Sequence, residues 1–167
     1  MKVAPAGRLM NPSERSARLG HRLLQVGALL FLVALIVGIA VPRFPVPRLG
    51  LSVHLLGLMQ GLFLMVAGLL WPRLELSRRL SQLGAGLAIY GCLAAWTANL
   101  LAALWGAGNS MLPLAAGQAH GSALQEAVVA IGLRTAAVSL VAALILILWG
   151  LRSPPVAPIE DQREALS

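Results

Sequence analysis

The run LGLSVHLLGLMQGLFLMVAGLLWP, residues 49–72, decides the fold. It contains no Asp, Glu, Lys or Arg and is long enough to cross a bilayer core, for which about 20 apolar residues suffice. Similar runs cover 23–42 and 80–125, the second long enough for one span and a loop. A last span begins near Ser122 and ends near Leu151, with Arg134 inside it. Of the 167 residues 58% are hydrophobic and 11% charged, far below the roughly 25% charged residues of a soluble domain. The expected fold is therefore all-α, an integral membrane bundle of four transmembrane helices at about 20–41, 50–71, 80–106 and 122–151. A polar segment, 1–19, precedes this 20–151 domain and a tail, 152–167, follows it; the polar or proline-rich ends, 1–19 and 153–167, are expected to be mobile. A cleaved signal peptide competes for the first run, because small residues stand near Gly38 and Ala40. The long charged leader and the length of the run favour a span.

Charge orients the bundle. Lys2, Arg8, Arg15, Arg18, Arg22, Arg73, Arg78, Arg79, Arg152 and Arg163 fall on one side, and only Arg43 and Arg48 on the other. The positive-inside rule then places both termini in the cytoplasm, in a membrane of the bacterial inner (cytoplasmic) type. The net charge of +7 is accounted for at helix ends, so no nucleic-acid partner is implied. Trp71, Trp105 and Trp149 fall at membrane boundaries, where indoles anchor; Trp96 lies deeper. Cys92, the single cysteine, has no intramolecular disulfide partner and reads as a small buried hydrophobe.

Small residues recur at steps of three and four: Gly57 and Gly61 in the second span, and Gly84, Ala88, Gly91, Ala95, Ala98 and Ala102 in the third. Such spacing lets backbones approach closely, within the chain or in a homo-oligomer. His54 shares the glycine stripe of its helix, Gln60 flanks it, and Asn99 shares the small-residue face of the third helix. These three, with Trp96 and Glu126, belong to the half of the bundle away from the arginine-rich ends. Polar groups converging from several helices suggest a small-molecule cavity, and ionisable groups within a membrane are functional candidates. Plainer roles stand beside these. His54 can bond a neighbouring backbone group, Gln60 and Asn99 can be interhelical glue worth about 1 kcal/mol each, and Arg134 can snorkel or pair across a subunit boundary. Tyr90 and Trp96 can be core filling, and His120 solvated surface.

No HxxH or CxxC pairing sets up a metal centre, and a bis-histidine haem would need a facing partner for His54. The sequence thus calls for no cofactor while leaving metal or haem open. Besides an enzyme, it allows a non-catalytic membrane subunit or a haem- or quinone-binding membrane protein.

The segments PRLGLSVHLLGLMQGLFLMVAGLLW (47–71), LAIYGCLAAWTANLLAALWGAG (87–108) and LPLAAG (112–117) resemble the hydroxylaminobenzene mutases, small integral membrane isomerases. The resemblance runs from about Arg22 to Arg152. Leu56 stands where some members carry an acid, so an acid in this chain must be sought elsewhere. The resemblance implies rearrangement of an aromatic hydroxylamine to an ortho-aminophenol, with no net redox change and no added cofactor. Such chemistry needs a proton for the departing oxygen and shelter for an electron-poor aryl intermediate. His54 or Glu126 would donate the proton, imidazole being suited to proton transfer near neutral pH and a carboxyl in an apolar pocket tending to stay protonated. Gln60 and Asn99 would hold the departing oxygen, Trp96 and Tyr90 would face the transient cation, and Arg134 would help bind substrate. Nitroarene metabolites of this kind partition into lipid, which supplies a bilayer-embedded pocket.

Overall fold

The computed structural model describes residues 12–152. The expectations of mobility at 1–11 and 153–167 lie outside the described residues. Five α-helices are present among them: α1 Pro12–Ala40, α2 Pro47–Leu70, α3 Arg78–Trp105, α4 Pro113–Ala116 and α5 Ala123–Gly150. All but α4 are long and apolar enough to cross a membrane.

Helix α1 begins well before its apolar run, because hydrophobicity marks the part that meets lipid and not the part that is helical. Glu14 in its first turn complements the helix dipole and supports the early start. Prolines punctuate the short connections. Pro42 and Pro72 sit in the 3-10 turns Val41–Arg43 and Trp71–Arg73, and Pro47 opens α2, where its missing N–H costs nothing. At the end of α3, Gly106 takes a left-handed conformation (φ 65°) that stops the helix. Ser122 caps α5 with a reciprocal pair: its Oγ accepts from the Gln125 N–H at 3.3 Å, and its own N–H donates to Gln125 Oε1 at 2.8 Å.

Helix α1 packs along α2, and α3 along α5. The two pairs join chiefly through a looser α2–α3 contact. Small residues make the close pairings possible. A Cβ on Gly91 would meet Leu140 Cγ at 2.7 Å, and one on Gly132 would meet Ala98 Cβ at 2.9 Å, so α3 and α5 touch almost backbone to backbone. The end of the bundle with Arg22, Arg73, Arg78, Arg79 and Arg152 is the basic end; the other, with residues 41–46 and 106–122, is the loop end.

Trp71 departs from the expectation of an interfacial anchor. It is fully buried, among Leu23, Leu64, Ala88 and Ile147, and its Nε1–H donates to Ser81 Oγ at 3.0 Å. With its one polar atom satisfied, an indole gains more from packing than from the interface. Trp105 and Trp149 are exposed, and the Arg152 guanidinium lies 4.7 Å from the Trp149 ring centroid. Cys92 is buried in the same core as Trp71.

Candidate functional site

The site begins with the way α1 meets α2. A Cβ on Gly27 would lie 2.7 Å from Gly61 O, and one on Gly61 would lie 2.8 Å from Gly27 O. Gly20 and Gly68 face each other in the same manner. Gly20 and Gly27 are a heptad apart on α1, as Gly68 and Gly61 are on α2, the spacing that keeps one seam in register. One heptad further stand Ala34 and His54. Here the helices exchange a hydrogen bond: His54 Nδ1–H donates to Ala34 O at 2.8 Å. A carbonyl only accepts, so Nδ1 carries a proton in this bond. Gly38, one turn beyond Ala34, makes room for the ring; a Cβ there would lie 2.5 Å from Nδ1.

Gly38→Ala is therefore expected to turn the imidazole off the carbonyl and cost about 1 kcal/mol, the worth of one hydrogen bond. Imidazole 15N shifts and a thermal melt read the two effects. Gly86→Ala is the control, since nothing lies within 4 Å of a Cβ there.

Across the α2–α3 seam, Trp96 and Asn99 of α3 meet Gly57 and Ser52 of α2. The Trp96 indole lies over Gly57, where a Cβ would come within 2.6 Å of Nε1. Asn99, one turn along α3 toward the loop end, donates from Nδ2 to Ser52 Oγ at 3.1 Å. Gln60 lies one turn from Gly57 toward the basic end and is 7% exposed; Asn99 is 3% exposed. Three buried atoms of α2 and α3 have no hydrogen-bond partner among the described residues: Gln60 Oε1, Trp96 Nε1 and Asn99 Oδ1. Each such atom costs about 1–3 kcal/mol if left unpaired. They are one donor and two acceptors, the groups by which a protein can hold a small polar molecule.

The other residues singled out in the sequence lie elsewhere. Expected as a protonated donor, Glu126 instead accepts five hydrogen bonds: from the N–H groups of Gly108 (2.8 Å), Asn109 (3.3 Å), Ser110 (3.3 Å) and Gly121 (3.2 Å), and from Ser110 Oγ (3.2 Å). Donors surround both of its oxygens, an arrangement for an ionised carboxylate, and they come from the α3–α5 loop rather than the seam. Tyr90 is 51% exposed on the outside of the α3–α5 pair, where its hydroxyl donates to Thr135 Oγ1 at 3.2 Å. Arg134 is exposed on the same flank and lines a shallow groove of about 380 Å³ with Thr135, Val138 and Ser139. Neither residue faces Trp96 or Asn99. Polar periodicity placed these side chains at matching depths but not on matching faces.

His120 is exposed at the loop end, and its Nδ1 accepts from Asn109 Nδ2 at 2.9 Å. Among the described residues no three His, Cys, Asp or Glu side chains gather as a metal cage. Reading the sequence missed Ser52, Ala34 and Gly38. The signal was present, since Gly20, Gly27 and Ala34 repeat on α1 the heptad that Gly68, Gly61 and His54 make on α2.

Comparison with known proteins adds an independent line. A family model described as styrene oxide isomerase matches residues 19–152. Hydroxylaminobenzene mutase HabB of Ectopseudomonas oleovorans is 46% identical over 139 residues, which is 83% of this chain and 85% of that one. Hydroxylaminobenzene mutase HabA of the same organism is 42% identical over 125 residues, 75% of this chain and 93% of that one. No solved structure matches.

Proposed function

The chain belongs to the styrene oxide isomerase family, and from that premise we propose that it is a membrane isomerase rearranging an aromatic hydroxylamine to the ortho-aminophenol. The two mutases, similar over most of their length, favour the hydroxylamine over an epoxide. One observation carries the reading: the three unpaired atoms of the α2–α3 seam complement the N–O group of such a substrate. Its N–H and O–H donate to the oxygens of Gln60 and Asn99, while its oxygen accepts from Trp96 Nε1–H.

In the reaction the N–O bond breaks heterolytically after the oxygen gains a proton. The departing water then adds to the ortho carbon and returns a proton, and the hydrogen of that carbon ends on nitrogen. His54, as the imidazolium with Nδ1–H still on the Ala34 carbonyl, delivers the proton from Nε2 and recovers it. Trp96 Nε1–H and the carboxamides keep the oxygen beside the ring, which favours the ortho position over capture by bulk water. We place the loop end on the outer side of a bacterial inner membrane and cover the Arg134–Tyr90 flank with further copies of the chain, consistent with a bare guanidinium being costly in lipid.

Membranes containing the protein, supplied with hydroxylaminobenzene in H₂¹⁸O and no added cofactor, are expected to form 2-aminophenol without the heavy isotope. Formation of 4-aminophenol alone, or rapid conversion of styrene oxide with the hydroxylamine untouched, would overturn the assignment.

A second reading draws on His54. Its Nδ1–H is held by a carbonyl, the kind of outer partner that orients a metal-binding imidazole. Its Nε2 would hold the iron of a haem, which would supply a Lewis acid for the substrate oxygen. A Soret band in protein purified from its native membrane, lost in His54→Ala, supports this reading; its absence from the parent protein removes it.

A further inference from the structure

The mechanism leaves the acid of α5 unused, yet Glu126 is the most densely hydrogen-bonded side chain described at the loop end. Its five donors come from two places: Gly108, Asn109 and Ser110 just after α3, and Gly121 just before α5. One carboxylate thus ties both ends of the 106–122 loop to the first turn of α5. The backbone is shaped for this closure. Gly106, Gly108 and Gly117 take positive φ (65°, 123° and 61°), and a Cβ on Gly121 would lie 2.5 Å from Ala107 Cβ.

What the closure holds is the short helix α4. Its Ala116 is 4% exposed and packs into a cluster with Leu49, Val53 and Ala103, bordered by Leu112 and Phe44. Val53 is the neighbour of Ser52, and Ala103 lies one turn from Asn99 toward the loop end. Trp96 borders the same cluster. The apolar plug therefore adjoins the Ser52–Asn99 hydrogen bond and the Trp96 indole on their loop-end side. Toward the basic end the seam runs into the core of Leu23, Leu64, Cys92 and Trp71.

We infer that Glu126 is a positioning residue that latches the 106–122 loop as a stopper across the loop end of the polar seam, closing it to water. The inference takes the seam as the site, as proposed above, and deepens that reading. Water admitted there would capture an electron-poor aryl intermediate, so the latch serves the outcome of the reaction without touching the reacting atoms. Glu126→Gln replaces one acceptor oxygen with an NH₂ that confronts backbone donors, and so loosens both loop ends. With the loop end closed, the route left for an apolar substrate is lateral, past the looser α2–α3 contact.

The test has a readout independent of turnover. In the full chain reconstituted in nanodiscs, with Cys92→Ala to remove the native thiol, Ser52→Cys reports access to the seam by its reaction with a charged maleimide. Glu126→Gln is expected to raise that labelling rate at least about tenfold, as local opening does for a site protected when closed. Glu126→Asp, which keeps the charge, is expected to give a smaller rise. Ala116→Glu, which drives the plug off Leu49 and Val53 while leaving the latch intact, is expected to reproduce the tenfold rise and carries the test should Glu126→Gln fail to fold. Equal labelling in the parent and in every folded variant overturns the inference, as does full labelling of the parent. With Ser52 intact, Glu126→Gln is further expected to take solvent ¹⁸O into the aminophenol. If the parent makes no aminophenol, the functional reading fails, while the labelling rates still decide whether the stopper exists.

Discussion

Trp96→Phe is expected to lower turnover of hydroxylaminobenzene by about 10²-fold, the order of loss when a reacting group is no longer held in place beside its target. The change keeps an aromatic ring over Gly57 and removes the Nε1–H, which has no acceptor among the described residues. Its effect on stability should have the opposite sign to its effect on activity. A buried donor without a partner opposes folding, so its removal leaves the melting temperature unchanged or raises it. KM should move by only a few fold, because the bond steers the departing oxygen more than it holds the bound substrate. The pair of measurements separates the alternatives: lower stability with undiminished turnover would make Trp96 a core residue and remove it from the mechanism.

Gly61→Ala is expected to destabilise the protein by about 1–3 kcal/mol, the range for overpacking a close contact. The added Cβ would meet Gly27 O at 2.8 Å and Phe31 N at 2.9 Å, both backbone atoms, so relief requires α1 and α2 to separate. Separation also lengthens the Ala34–His54 bond one heptad away, and turnover should fall with stability. Gly27→Ala meets the same wall from the other side. The double variant should therefore cost less than the sum of the two, since helices spread by the first Cβ accommodate the second. Chemical unfolding in mild detergent measures all three, and strict additivity would contradict a shared contact.

Much of this molecule was legible in its composition. Helices long and apolar enough to cross a membrane follow from charge-free runs of bilayer length, because a backbone in lipid has few ways to satisfy its polar groups other than as helix. Gln60, Asn99 and Trp96 were recognisable as misplaced in such runs, and the glycine stripe of α2 pointed to helices in near contact. Periodicity along one chain determines which residues share a face, and with it their approximate depth. It does not determine which faces meet. That choice rested on tertiary packing: the antiparallel heptad match of Gly20, Gly27 and Ala34 with Gly68, Gly61 and His54 sets the register of α1 on α2, and Gly57 leaves the room that Trp96 occupies. The same packing sent Tyr90 and Arg134 to the outer flank of α3 and α5. It also turned Glu126 from an expected proton donor into the acceptor of five loop hydrogen bonds, because backbone N–H groups with no helix to serve had to find an anion within reach.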